Sequence, residues 1–444
     1  MVNYIVLITV RWFFIAFLLT VTWGQSHLPH GLTDREREEL DRIGVNRTIT
    51  DPPDSIWYAP AEFDSVAGII YSWEQYPTLL KQLIKATAES DTAWVVVNNA
   101  AEAVTVSNQL QAFGVNMDHV DYIYDNLNSV WIRDFGPWWI YQPDGRRAIL
   151  DLTYNRPRPL DDAFPEDLAT MWNLDYYGLG LVEAGGNMLL DGTGAVMISN
   201  VIFDPSQGFN PDGSLTVEIL ENYFQDYYGV HKVILTDHLQ FDGTGHIDMF
   251  IKILNDTTVI IGEYESPSDA AGNNYAICNQ VADQIANETN GAGNPYHVVR
   301  MLMPPYDGNT YTYINSLIVN RKVLVPIYGF ATDAAVLAQY ESLLPGYEII
   351  GFDCNQIIMA NGAIHCIAMK VPAFISPIDP CADWETGDLN NDGSRNVIDL
   401  LMLGDAVLGF NAGGPCTQAV ADMNDDQSVT AMDLIILLNL ILGY

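Results

Sequence analysis

The chain has 444 residues, 49% of them apolar and 17% charged, enough for two or three domains and a large buried core. Its 56 acidic residues against 19 basic ones give a formal charge of −37, which excludes nucleic acid and anionic membranes as partners, since both need basic patches. So acidic a chain suits an exported soluble protein, a binder of cations, or a site that draws in a positively charged substrate.

In chain order, Arg11 precedes an apolar run, residues 12–23, and Gly24 offers a small residue for cleavage. Residues 1–24 are therefore expected to be a signal peptide, and the protein to be secreted or cell-surface associated, where disulfides persist. The run is short of the roughly 20 apolar residues of a spanning helix. Residues 5–10 extend it beyond Arg11, however, so an uncleaved anchor is the alternative. Residues 25–56 read as a charge-dense leader, with Thr33-Asp-Arg-Glu36 opening a capped surface helix. From residue 57 the texture changes. Apolar runs at 67–71, 93–97, 195–199, 258–262 and 322–326 predict buried strands, and amphipathic stretches at 77–90, 214–228 and 333–344 predict helices between them. Strands alternating with helices over 57–373 make an α/β domain. Periodicity alone does not choose between a doubly wound sheet, a barrel and a propeller. Residues 374–386, with Pro377 and Pro380, read as a linker.

Beyond the linker, residues 387–444 contain an internal repeat. Oxygen-bearing side chains fall at loop positions 1, 3, 5 and 12 of each copy: Asp388, Asn390, Asp392 and Asp399, then Asp422, Asn424, Asp426 and Asp433. A hard cation with six to eight oxygen ligands needs that density of carboxylates, and position 6 usually needs glycine. Gly393 supplies it in the first copy and Gln427 stands there in the second. An acidic disordered tail would not carry the pattern twice, each time running into an apolar helix. The pattern resembles the type I dockerin, a small all-α module of two loop–helix calcium repeats. That resemblance implies two structural Ca2+ ions and a cohesin-type partner. Positions 10 and 11 are Val397-Ile398 and Ala431-Met432, where Ser/Thr pairs are frequent in cellulosomal examples. Cys381 and Cys416 flank the first repeat and offer a clasp.

Five cysteines leave at least one thiol outside any intramolecular disulfide. Cys366, in Asn361-Gly-Ala-Ile-His-Cys366, taken alone reads as a buried structural cysteine. Two further segments supply what a nucleophile would need. Trp131-Ile-Arg-Asp134-Phe-Gly-Pro137 sets an Asp ahead of a turn, otherwise a loop salt bridge. Gly245-His246-Ile-Asp248 places His and Asp at i and i+2, on one face of a strand. These two with Asp134 would also suit a metal, yet no His/Cys cluster of zinc-ligand spacing accompanies them.

Together with Tyr154-Asn-Arg-Pro-Arg-Pro159, Gly185-Gly-Asn187 and Tyr313-Ile-Asn-Ser316, these segments resemble the guanidine-modifying, or pentein, superfamily. They look most like the Porphyromonas-type peptidylarginine deiminases, which share a branch with agmatine deiminases. The resemblance implies a five-bladed α/β propeller of ββαβ-type units around a central site. It further implies a deiminase in which Asp134 and Asp248 hold a guanidinium, Cys366 attacks its carbon and His246 moves protons, with no cofactor for catalysis. Charge-assisted pairs and a thiolate are what that chemistry requires. By the same resemblance Arg156 and Arg158 hold the carboxylate of a C-terminal arginine, a bidentate role suited to guanidinium groups, while Trp131 and Asn315 line the pocket. The alternative for the two arginines is a Pro-stiffened surface loop. Gly243 departs from the pattern, standing where the Porphyromonas enzyme has an aromatic residue, and Glu183 receives no role. Two rival functions stay open: deimination of agmatine or another small guanidine, and a non-catalytic binding protein. Were Cys278 to pair with Cys354 and Cys381 with Cys416, Cys366 would be the leftover thiol.

Overall fold

The computed structural model describes residues 28–45, 47–374, 384–390, 392–410, 417, 420–424 and 428–442. The expected signal segment, Cys381, Cys416 and Asp426 lie outside the described residues. Among the described residues no helix is long and apolar enough to cross a membrane.

The apolar runs form strands where continuous hydrophobicity calls for them. β1 is Val66–Ser72, β2 Thr92–Val97 and β3 Val120–Tyr124, with α1 (Asp34–Arg37) ahead of them and α2 (Pro77–Thr87) and α3 (Ala100–Phe113) as their connections. After a single helical turn, α4 (Ile132–Phe135), come β4 (Trp138–Tyr141), β5 (Arg147–Tyr154), α5 (Pro159–Trp172) and β6 (Asp175–Glu183). The same sequence of elements recurs three times. It runs through β7 (Met188–Leu190), β8 (Ala195–Ser199), α6 (Val217–Tyr228) and β9 (Lys232–Thr236), then β10 (Ile251–Ile253), β11 (Thr258–Glu263), α7 (Asn274–Ala286) and β12 (His297–Leu302). The last copy is β13 (Leu317–Val319), β14 (Lys322–Ile327), α8 (Asp333–Leu343) and β15 (Glu348–Asp353).

In each copy a short strand pairs antiparallel with the second strand, which pairs parallel with the third across the helix. A parallel pair needs such a crossover, and helix cover on its face explains runs such as β8 in which every residue is buried. The fifth sheet takes its antiparallel strand from the far end of the domain. β16 (Met369–Pro372) pairs with β1, Val66 opposite Pro372 and Ile70 opposite Met369, giving the order β16-β1-β2-β3. The domain is thus five small sheets, four of one three-stranded pattern and a fifth that repeats it with β3 as an added parallel strand, its first and last strands stitched together.

That pattern positions the site. Asp134 lies just ahead of β4, Gly185–Asn187 ahead of β7, His246 and Asp248 ahead of β10, Asn315 ahead of β13 and Cys366 ahead of β16. Each of these five segments therefore enters the antiparallel strand of a different sheet, while the segment with Arg156 and Arg158 links β5 to α5.

Two expectations and one alternative need correction. Gly-His-Ile-Asp is not a strand: Gly243 and Gly245 take φ of +83° and +74°, and the chain passes through a 3-10 turn, Ile247–Met249, before β10. Arg156 and Arg158 are not on a surface loop but are 1% and 2% exposed. Cys278 and Cys354 do not pair; both thiols are free and buried in the apolar core, where burial pushes the Cys278 thiol up to about 12.

In the C-terminal module, helices Val397–Val407 and Ala431–Leu442 pack on a core of Leu389, Leu403, Val420, Ala421 and Leu437. Each last loop acid ties its loop together. Asp399 accepts from Leu389 N (2.8 Å) and Asn396 N (2.8 Å), and Asp433 from Met423 N (2.9 Å) and Thr430 N (2.7 Å).

Candidate active site

Gly186 is the floor on which three of the expected residues meet. A Cβ there would stand 2.6 Å from His246 Nδ1, 3.0 Å from Asp134 Oδ1 and 3.3 Å from Asp248 Oδ2. Only glycine allows that convergence. His246 Nδ1 and Asp134 Oδ1 are 3.6 Å apart.

Cys366, on the 3-10 turn His365–Ile367, faces the same group. Its Sγ lies 3.3 Å from Asn315 Nδ2, 3.4 Å from Asn315 Oδ1 and 3.9 Å from Asp248 Oδ2. Asn315 Oδ1 also accepts from His365 N (3.1 Å), which fixes the turn that carries the thiol. Gly362 lets this turn approach Trp131, whose ring a Cβ would meet at 2.4 Å. Six residues expected at the site, Cys366, His246, Asp134, Asp248, Trp131 and Asn315, are thus brought together; Arg156 acts on Asp134 through its charge, and Arg158 bonds instead to Glu36 and the Pro29 carbonyl.

Four contributors escaped the reading of the sequence. Glu62 is buried and holds Lys252 Nζ (3.0 Å), His365 Nε2 (3.2 Å) and Arg133 Nη2 (3.8 Å). His365 Nδ1 in turn lies 2.7 Å from Asp248 Oδ2, so Glu62 orients Asp248 through His365. The signal was a lone carboxylate in the apolar stretch Ala59-Pro-Ala-Glu-Phe63. Gly186 was quoted only as part of a motif. The fourth is His30 of the leader, fully buried. Its Nε2 lies 2.6 Å from Asp134 Oδ2, its Nδ1 2.7 Å from the Asn361 carbonyl, and its ring stacks on Trp131 at 4.3 Å. His30, Asp134 and His246 also present ligand atoms within 4.8 Å of one another, a three-residue cluster that sequence spacing could not reveal.

The electrostatics are those of a closed site. Burial raises the Asp134 carboxyl, but His30, His246 and Arg156 together outweigh it and hold it at about 2. Burial lowers His246 to about 4, against the attraction of Asp134. The Cys366 thiol is driven well up by burial and by the carboxylates Asp248 and Asp134. Burial also raises Glu183, beside Asn187, to about 8. Asp134 Oδ1, Asp248 Oδ1, both His246 nitrogens and Arg156 Nη2 lack hydrogen-bond partners among the described residues. Buried polar atoms left so are costly and mark where a ligand belongs. Two carboxylate oxygens, a thiol and an imidazole around one space can hold a planar cation and attack it.

The family model of the Porphyromonas-type peptidyl-arginine deiminases matches residues 59–372. The chain belongs to that family. A type I dockerin domain matches residues 386–442. A Latilactobacillus sakei protein assigned as an agmatine deiminase is 25% identical over 365 residues, 73% of this chain and 98% of the relative. Among solved structures, a Porphyromonas gingivalis protein assigned as an arginine deiminase has a TM-score of 0.62 at 23% identity, covering 71% of this chain and 98% of that one. The agmatine deiminase of Enterococcus faecalis reaches 0.64 at 21% identity, covering 73% and 100%. The peptidylarginine deiminase-family chain is accordingly a mixed α/β pentein deiminase, a hydrolase of amidine C–N bonds, joined to a dockerin domain.

Proposed function

We propose that this deiminase converts peptidyl arginine, chiefly at a C-terminus, to citrulline. The observation that carries the reading is the buried pair Arg156 and Arg158. Arg156 Nε lies 3.3 Å from the carbonyl of His30, the residue whose ring sits on Asp134, and its Nη2 is a buried donor without a partner among the described residues. Two buried guanidinium groups one residue's length from the reacting groups suit a substrate with an α-carboxylate. Agmatine has none, although relatives carry that name.

In this reading Asp134 and Asp248 accept the substrate guanidinium N–H groups, and Trp131 stacks on its plane. Cys366 passes its proton to His246 as the cation arrives, and Sγ bonds to the guanidinium carbon. The C–N bond to one terminal nitrogen then breaks, and His246 delivers the proton that lets it leave as ammonia. His246 next takes a proton from water, whose oxygen bonds to the same carbon while the S–C bond breaks. Arginine and water thus give citrulline and ammonium, with the thiol regenerated.

The five sheets that share the three-stranded pattern, each entered from a site segment, favour a five-bladed arrangement of ββαβ units around this chemistry, within a catalytic domain at 57–373. For the dockerin domain, at 387–444, we read two Ca2+ ions. Asp388 and Asp399 are almost fully buried, and among the described residues no lysine or arginine pairs with them. Buried carboxylates without a counter-cation fit a hard metal. Asp388, Asn390, Asp392 and Asp399 would hold one ion, and Asp422, Asn424, Asp426 and Asp433 the other. Export, with residues 1–24 as the signal, and a cohesin-type partner complete the reading.

The test uses an Arg-terminated peptide, its C-terminal amide and agmatine, with the His30→Gly chain beside the wild type because His30 occupies the site. Citrulline should form fastest from the free-carboxylate peptide, and removing Arg156 and Arg158 together should erase that preference. Activity on agmatine alone would refute the reading.

A further inference from the structure

We propose that residues 28–36 are a built-in pseudosubstrate, one that holds the deiminase inactive until it leaves and shows that the site reads a polypeptide through its backbone carbonyls. This rests on the deiminase reading of the site.

The leader supplies a stand-in for each part of a peptidyl arginine. The side chain comes first. The His30 ring is planar, lies against Trp131 and meets Asp134, where a guanidinium would be held. Both its nitrogens face oxygens, a carboxylate and the Asn361 carbonyl, an arrangement in which an imidazole donates from both sides.

Backbone is the second part. The Leu28 carbonyl accepts from Trp131 Nε1 (3.0 Å), the Pro29 carbonyl from Arg158 Nη2 (2.8 Å) and the His30 carbonyl from Arg156 Nε (3.3 Å). Three successive carbonyls are thus read by the residues assigned to substrate binding. Third is a carboxylate: Glu36 pairs with Arg158, Nε to Oε1 at 2.7 Å and Nη2 to Oε2 at 3.3 Å. The one-turn α1 is built to present it, since Thr33 and Glu36 form a capping box.

The seat is fitted to the leader. His30 N donates to the Ala360 carbonyl (3.1 Å). A Cβ on Gly31 would stand 2.7 Å from the Gly243 carbonyl, and one on Gly243 would stand 2.3 Å from the Asn361 side chain. Gly243, the departure from the family pattern, therefore leaves its space to the residue that takes His30 Nδ1. With the leader seated, Cys366 and His246 are 0% exposed. A tethered ligand competes at an effective concentration on the order of millimolar, so dilute peptides would not displace it.

The decisive measurement is alkylation of Cys366 by chloroacetamidine, a small cationic thiol reagent that needs no turnover, followed by mass spectrometry of the Cys366 peptide. Four chains are compared: wild type, His30→Gly, Gly31→Ala and a chain beginning at residue 39. Alkylation should be at least about tenfold faster in the three variants, the factor by which the open fraction limits apparent binding. If the shortened chain fails to fold, the two point variants carry the test. A synthetic peptide of residues 28–38 should slow alkylation of His30→Gly, and the same peptide with glycine for histidine should not. Equal rates in all chains would overturn the proposal, and so would unmasking of the wild type by EDTA alone, which would assign the block to a metal on His30, Asp134 and His246. Citrulline formation, run in parallel on free arginine and on peptides with two residues ahead of the arginine, should favour the peptides. Faster alkylation with no guanidine turned over would sink the deiminase reading and leave the plug. Turnover with equal alkylation would do the reverse.

Discussion

Gly186→Ala should cripple catalysis in a chain that still folds. The added methyl would stand 2.6 Å from His246 Nδ1, where ordinary contact begins at 3.4 Å, and it would also press on Asp134 Oδ1 at 3.0 Å and Asp248 Oδ2 at 3.3 Å. The imidazole must retreat by about 0.8 Å, and displacement of that order costs roughly 100-fold in rate. Overpacking in a tight interior costs only about 1–3 kcal/mol. The φ of Gly186 is not in the left-handed region, so no backbone penalty adds to this. Kinetics on an Arg-terminated peptide in the His30→Gly background, with urea unfolding of the same chains, separates the two effects. A kcat/KM within about threefold of the parent, at unchanged stability, would refute the convergence of these groups on Gly186, since so small a change is below 1 kcal/mol.

Removing one partner of a buried ion cluster leaves the rest uncompensated, so Glu62→Gln, facing Lys252, His365 and Arg133, should cost about 3–5 kcal/mol in urea unfolding. His246 gives a pH signature. Its folded pKa is depressed from 6.5 to about 4 by burial, so below 6.5 the unfolded chain binds a proton that the folded chain does not. Stability should therefore fall as pH drops from 6.5 to 4, by about 1.4 kcal/mol per unit, with no further loss from this group below 4. His246→Gln should remove that component, seen as a smaller change in the urea midpoint across the window. For the dockerin domain, EDTA should lower the melting temperature of its transition, and calcium at 100 times its Kd should restore about 2.7 kcal/mol for each ion bound. Asp399→Asn with Asp433→Asn should abolish the response.

Much of this was legible because it is local. β8 and β14 begin where their apolar runs do, since a strand covered on both faces shows continuous hydrophobicity. Cys366 and Asp134 could be picked out because each is a chemically distinctive group in a turn-like motif, and His246 because it stands two residues from Asp248. The fivefold repeat could not. Its five site segments share a position ahead of a strand, yet they carry Asp, Gly, His with Asp, Asn and Cys, so residue identity hides the repetition. Glu62 and His365 were missed because their role is a tertiary ion pair across 303 residues. His30 was missed for the same reason: its partner Asp134 is 104 residues away, and a charged leader reads as surface until its one buried turn is seen. Gly243 looked like a flaw in the pattern and is a fitted part of the leader's seat.

Covalent attack by Cys366 is the centre of the account. The direct measurement is to quench the His30→Gly chain during turnover of an Arg-terminated peptide and weigh the tryptic fragment holding Cys366. The predicted fragment carries the peptide less ammonia, and the adduct and all citrulline disappear in Cys366→Ala. Citrulline formed at the parent rate by Cys366→Ala would contradict it.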